Sequence, residues 1–179
     1  MPHHTPTRRA VLAGSAAALG GLAAAGRTAS AGTTTDDGFT YEITRTDAEW
    51  RERLSDFEHY VLREGGTELR RQSPLWEETR AGTYACRGCD LTLYESPWKQ
   101  VLDIGWVFFH QSCPNAILMD IDGGSPYGSM GGGDPNRPPA LIEAHCRRCG
   151  SHLGHILTVK GKTLHCINGK SLTFESAAA

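Results

Sequence analysis

Two cysteine pairs, Cys86-x-x-Cys89 and Cys146-x-x-Cys149, have the spacing that lets both sulfurs of a pair reach one ion from a single tight turn. Two such turns facing each other give the tetrahedral thiolate set that zinc prefers. With four sulfurs bound, no coordination position is left for a substrate, so the site reads as structural. The chain has six cysteines, which leaves Cys113 and Cys166 outside the cage. Cys166 stands in the string His165-Cys166-Ile167-Asn168, and the second pair runs directly into Ser151-His152-Leu153-Gly154-His155. A leftover thiol is where chemistry could happen, and these strings hold the histidines and the carboxamide to be weighed with it. Each has a plainer reading. Either histidine could be a hydrogen-bonded core residue, Asn168 could cap a turn with Gly169, and Cys166 could be an inert buried thiol.

The alternative for the pairs is a set of disulfides, and it depends on compartment. The chain opens with Arg8-Arg9-Ala10-Val11-Leu12, an alanine- and glycine-rich stretch, and a small-residue exit near Ala29-Ser30-Ala31. This pattern predicts an export signal of the twin-arginine type over residues 1–31 and a periplasmic mature protein. The apolar run is shorter than the roughly 20 residues a membrane span requires, and Arg27 interrupts it. No stable membrane anchor is expected. The twin-arginine route carries folded proteins, so zinc could be loaded in a reducing cytoplasm before export. The similar surroundings of the pairs, Cys86-Arg87-Gly88-Cys89-Asp90 and Cys146-Arg147-Arg148-Cys149-Gly150, also favour metal over bridges.

Removing residues 1–31 takes Arg8, Arg9 and Arg27 from 18 basic residues and none of the 20 acidic ones, leaving 15 against 20 and a net charge of −5. Such a balance gives no attraction to nucleic acid or anionic lipid. The expected product is a soluble monomer with a flexible lead-in over 32–44 and one domain over 45–176.

The elements that must hold these residues are mostly strands. Short apolar runs punctuated by turns cover 83–85, 91–94, 105–109, 116–121, 141–144, 155–159, 164–167 and 171–174, which predicts an antiparallel, mainly β domain. Before them, Thr46-Asp47-Ala48-Glu49 has the form of a capping box. A helix from that point would place Trp50, Leu54, Phe57 and Val61 on one apolar face and stop at Gly65-Gly66. The glycine- and proline-rich segment 121–139 reads as a long loop, a surface insertion or a lid. The metal pairs are 56 residues apart, where a zinc ribbon has about 15–20, so the metal should clamp distant parts of the sheet.

Taken in order, Tyr60-Val61-Leu62-Arg63, Gly66-Thr67-Glu68, Gly82-Thr83-Tyr84-Ala85-Cys86, Ser96, Lys99, Gly105-Trp106, His152-Leu153-Gly154-His155, Cys166-Ile167-Asn168 and Ser171-Leu172-Thr173-Phe174 resemble the B-type methionine sulfoxide reductases. The resemblance spans nearly the whole domain. It implies the β-tent fold with a short N-terminal helical segment, a structural Zn²⁺ on Cys86, Cys89, Cys146 and Cys149, and thiol-dependent reduction of methionine (R)-sulfoxide in oxidised proteins or peptides. It implies Cys166 as the nucleophile that becomes a sulfenic acid. His152 and His155 would bind or protonate the sulfoxide oxygen, Asn168 would position the site, and Trp106 would form the wall for the substrate methyl group, although Trp106 could equally be plain core. A thioredoxin-like reductant is implied as partner.

Three positions depart from the family's pattern. Ile104 stands where the family often carries its resolving cysteine, which makes Cys113 the substitute candidate; an external thiol can also resolve the sulfenic acid directly. Leu164 replaces an arginine and Val159 an acid, so an ion pair beside the site would have become an apolar pair. Replacing both partners of a buried pair can be nearly neutral, whereas losing one is costly. Two other functions remain compatible with these residues: a zinc-stabilised binding module that has lost catalysis, and a thiol redox sensor.

Overall fold

The computed structural model describes residues 39–122 and 141–178. The predicted export signal and most of the 121–139 loop lie outside the described residues. Within them the domain is mainly β, as expected, with its strands paired antiparallel in two sheets.

The single helix expected after Thr46 is instead two. Helix α1 (Asp47–Arg53) begins at the anticipated capping box, in which the Thr46 side chain accepts from the Glu49 amide and Glu49 reaches back to Thr46. At Leu54 the backbone turns extended, and Ser55 with Glu58 forms a second capping box that opens α2 (Asp56–Arg63). These side chain to backbone bonds stabilise a restart over continuation. The break leaves the apolar positions on one side. Trp50, Leu54 and Val61 are buried, and Phe57 packs against them.

The first sheet has the order β2 (Thr92–Glu95), β1 (Gly82–Cys86), β9 (Leu172–Ser176). The second has the order β3 (Lys99–Gln100), β4 (Val107–Phe109), β8 (Lys162–Ile167), β7 (His152–Val159), β6 (Leu141–Cys146), β5 (Ile117–Asp122). Strand β7 starts three residues before the expected 155, so both histidines of the His152-Leu153-Gly154-His155 string belong to it.

Because side chains alternate along a strand, the six-stranded sheet has two chemically distinct faces. One carries Val107, Phe109, Ile167, Leu153, Ala144 and Cys146, and joins Trp50, Leu62, Tyr84, Leu93, Tyr94 and Leu172 in the main core. Tyr94 stacks on Phe109 at 4.1 Å between ring centroids, which seats one sheet on the other. The opposite face carries a smaller apolar cluster of Leu102, Phe108 and Leu164, with Ile104, Trp106, Val159 and Cys166 packed against it.

Candidate active site

The four-cysteine cage is built by two turns of the same shape. In the first, the Cys86 amide donates to the Leu91 carbonyl and the Asp90 amide to the Cys86 carbonyl, both at 2.8 Å. In the second, the Cys146 amide donates to Ser151 and the Gly150 amide to Cys146, again at 2.8 Å. Asp90 and Gly150 occupy the same left-handed position, with φ of 61° and 69°. The likeness noted between the two sequences is thus a likeness of backbone.

None of the six cysteines is bridged to another. The four cage sulfurs are buried and lie within 4.8 Å of one another, with Cys86 to Cys149 at 3.8 Å and Cys89 to Cys146 at 3.5 Å. A disulfide would hold two sulfurs at about 2 Å. Four thiolates about 2.3 Å from a central zinc would stand about 3.8 Å apart, so these residues fit a tetrahedral metal ion. Cys86 ends β1 in one sheet and Cys146 ends β6 in the other. The cage therefore ties two sheets together, rather than two parts of one.

Cys166 lies on β8, on the face away from the main core. Its cross-strand partners are Phe108 on β4 and His155 on β7, and His155 is in turn opposite Glu143 on β6. One row across four strands thus carries a phenyl ring, the thiol, an imidazole and a carboxylate.

His152 joins this row through an irregularity. Residues three apart on a regular strand point to opposite faces. Here Ala144 pairs with Gly154 but His145 pairs with His152, so Leu153 is the extra residue of a bulge. The bulge turns Leu153 into the main core and returns His152 to the side of His155. The two rings meet edge to face, 5.3 Å between centroids. His152 Nδ1 lies 2.5 Å from Glu143 Oε1, and its Nε2 is buried without a hydrogen-bond partner.

A surface pocket opens over this row, lined by Thr67, Trp106, Leu141, Gly154, His155, Leu157, Cys166 and Asn168. Trp106 is held in place as its indole N–H donates to the Glu68 carbonyl at 3.2 Å. Asn168 makes no side-chain cap to the short 3₁₀ turn that follows it. Its carboxamide accepts from the Glu68 amide at 3.0 Å and donates to the Leu153 carbonyl at 3.2 Å, fastening the 66–68 loop to β7 beside the thiol.

Glu68 received no role from its sequence, yet its buried carboxylate accepts from the Gly169 and Lys170 amides at 2.7 and 2.9 Å. Burial raises its carboxyl above the usual range, against the pull of those amides. Burial also pushes the Cys166 thiol up to about 12, with the Glu68 carboxylate adding to the shift. The resting sulfur is a protonated thiol.

Cys113 is placed elsewhere. It packs against the main core, and its amide donates to the Leu93 carbonyl at 2.8 Å. The Cys166 sulfur belongs to the cluster on the other face. The pocket brings together Cys166, His155, Asn168 and Trp106, seats His152 directly behind His155, and does not include Cys113.

Residues 54–176 match the model of the SelR domain family. The chain belongs to that family. Among its relatives are a peptide methionine sulfoxide reductase MsrB of Agrobacterium fabrum, 33% identical over 138 residues, and one of Leifsonia xyli, 34% identical over 141 residues. These alignments each cover 75% of this chain, and 93% and 92% of the relatives. Peptide methionine sulfoxide reductase B3 of Arabidopsis thaliana is 33% identical over 142 residues, covering 76% of this chain and 73% of that protein.

Within this SelR fold the three unusual positions fall together. Leu164, Val159 and Ile104 all belong to the apolar cluster that packs beside Cys166, and Leu164 is only 1% exposed. A cluster of this kind accepts two apolar side chains where one unpaired charge would be costly.

Proposed function

We infer that the protein is a peptide-methionine (R)-S-oxide reductase that repairs oxidised methionine in proteins or peptides. The observation that carries this is the row Phe108, Cys166, His155, Glu143 under a pocket walled by Trp106, in a chain of the SelR family. Its relatives named as methionine sulfoxide reductases are matched along most of their own length.

In the reading we propose, the substrate's methyl group rests against Trp106 with its sulfur toward Cys166. The thiol is protonated at rest, so its proton must leave as the sulfur attacks, and the imidazoles carry it to the sulfoxide oxygen. The first stage balances without another reactant. A thiol and a sulfoxide become a sulfenic acid on Cys166 and methionine, the sulfoxide gaining two electrons and Cys166 losing two. Two further thiols then return Cys166 to its reduced form, giving one disulfide and one water. We assign those thiols to a thioredoxin-like dithiol attacking directly. Resolution by Cys113 would require the residues around it to abandon their bonds to the Leu93 and Trp98 carbonyls and expose the core.

We assign zinc to the four-cysteine cage, held by Cys86, Cys89, Cys146 and Cys149, where it would supply fold stability and no chemistry. We place the enzyme in the periplasm on the strength of Arg8-Arg9 and the segment that follows. The donor would then be a dithiol protein delivered through the inner membrane.

Turnover with dithiothreitol on the two sulfoxide epimers separately tests the reading. Reduction of the R epimer alone, abolished in Cys166→Ser, is the expected result. A zinc-loaded protein that reduces neither epimer would assign the fold to a binding role instead.

A further inference from the structure

The row that carries Cys166 ends in a carboxylate to which the reaction has so far given nothing to do. Glu143 lies on β6, three residues before the cage ligand Cys146 and opposite His155. Its side chain is about one-quarter exposed, at 27%, whereas that of His152 is 6% exposed. Asp120, opposite Glu143 on the edge strand β5, accepts from the Ile121 amide at 2.6 Å through its Oδ1. His145, opposite His152, meets the Tyr41 ring edge to face. Neither neighbour occupies Nε2 of His152, which is buried with no partner.

An ionised carboxylate can only accept, so the His152 nitrogen facing it must carry a proton. That leaves Nε2 as the nitrogen able to take up a second one. A buried polar atom without a partner is costly and calls for a functional account. The bulge at Leu153 sharpens the point, because without it the His152 ring would sit on the other face of the sheet, away from both His155 and Glu143.

We propose that Glu143 is a positioning residue for the reduction: its carboxylate accepts the Nδ1–H of His152, fixes that ring's tautomer, and leaves the buried Nε2 behind His155 to receive and return the proton that passes from the Cys166 thiol to the sulfoxide oxygen. The proton reaches His152 through the neighbouring His155 ring or a bound water. While His152 holds it, the carboxylate stabilises the imidazolium. Carboxylate, imidazole and reacting group stand in the same relation as in hydrolytic triads, where the acid orients the ring without itself becoming protonated. No net proton is consumed in this stage, since the one that leaves sulfur ends on oxygen. This inference rests on the reductase reading.

The test is Glu143→Gln in the full chain, assayed with dithiothreitol and an R-sulfoxide peptide. Glutamine keeps the shape but can turn its amide N–H₂ to Nδ1, which would move the ring proton to Nε2. The expected result is a kcat lowered about 10- to 100-fold with KM within about twofold, while metal content and thermal midpoint stay at their wild-type values. In the wild-type chain at pH 8, the ¹⁵N shifts of His152 should show a protonated Nδ1 and a bare Nε2, and in the variant the proton should appear on Nε2. A variant with kcat within twofold of wild type overturns the proposal. So does a wild-type His152 whose Nε2 carries the proton at pH 8, a result that does not depend on the variant folding. Absence of R-sulfoxide reduction by the wild type would instead remove the reductase reading on which the proposal stands.

Discussion

Replacing Gly154 by alanine should damage stability and activity together, for a reason that can be measured on the backbone. A Cβ at this position would lie 2.2 Å from the Cys166 carbonyl oxygen, 2.9 Å from the Ile167 Cα and 3.2 Å from the Cys166 carbonyl carbon. Ordinary contact begins at 3.4 Å, so the closest approach is short by about 1.2 Å. All three atoms are main chain and cannot swing aside. Strands β7 and β8 must part, or the backbone must twist, where Gly154 faces Ile167 and His155 faces Cys166. Gly154 also has φ +153°, a conformation L side chains rarely adopt. Overpacking of this kind costs about 1–3 kcal/mol, and backbone strain adds about 1 more. A total near 3 kcal/mol should lower the thermal midpoint by about 10 °C in a domain of this size. Displacement of Cys166 by about 1 Å should reduce kcat by as much as about 100-fold. Thermal unfolding by circular dichroism and turnover of an R-sulfoxide peptide give the two readouts. A variant with its midpoint within 2 °C of wild type, by the same order-of-magnitude reasoning, would refute the close-packing argument.

Removing one cage ligand by Cys89→Ser should release the metal and unfold the domain at temperatures where the wild type is folded, read by a colorimetric zinc release assay alongside circular dichroism. Leu164→Arg alone should destabilise by about 3–5 kcal/mol by burying an unpaired charge, and Val159→Asp in the same chain should recover part of that loss, measured as a coupling energy in a double-mutant cycle by urea unfolding. Alkylation of Cys166 without substrate should quicken about tenfold per pH unit from pH 8 to 11, because burial holds its thiol at about 12 and only the thiolate reacts; a rate that levels off near pH 7, followed by peptide mass spectrometry, would contradict that placement.

What could be read from the sequence was what repeats or has a short fixed spacing. The cage is the clearest instance, since both turns reuse one backbone shape and the left-handed residue after each second cysteine is Asp90 in one and Gly150 in the other. The strands followed from runs such as Val107-Phe108-Phe109. The helix was misjudged at Leu54, where apolar spacing continues through a break whose cause, Ser55 with Glu58, is as local as the capping box recognised at Thr46. Glu143 and Glu68 went unassigned because folding brings their partners to them: His152 stands across a strand pair, and Gly169 is 101 residues away. A sequence signal for Glu143 did exist, as it shares the two-residue period of the strand ending at Cys146. The bulge at Leu153 had none, and without it the three-residue spacing of the histidines argues for opposite faces. The separation of Cys113 from Cys166 is likewise a matter of which face each sulfur joins, a question decided only once β4 and β8 are in register.

The two faces of the six-stranded sheet have a consequence for a protein whose work is done around oxidants. Cys146 looks inward with Cys86, Cys89 and Cys149, while Cys166, only one pleated layer away, borders the solvent-facing pocket. On the proposed function, the sheet is a partition between the sulfur assigned to cycle through oxidation and the four sulfurs assigned to hold zinc. Peroxide entering the pocket would meet Cys166, whose sulfenic acid a thiol reductant can regenerate, before the four sulfurs on the sheltered side.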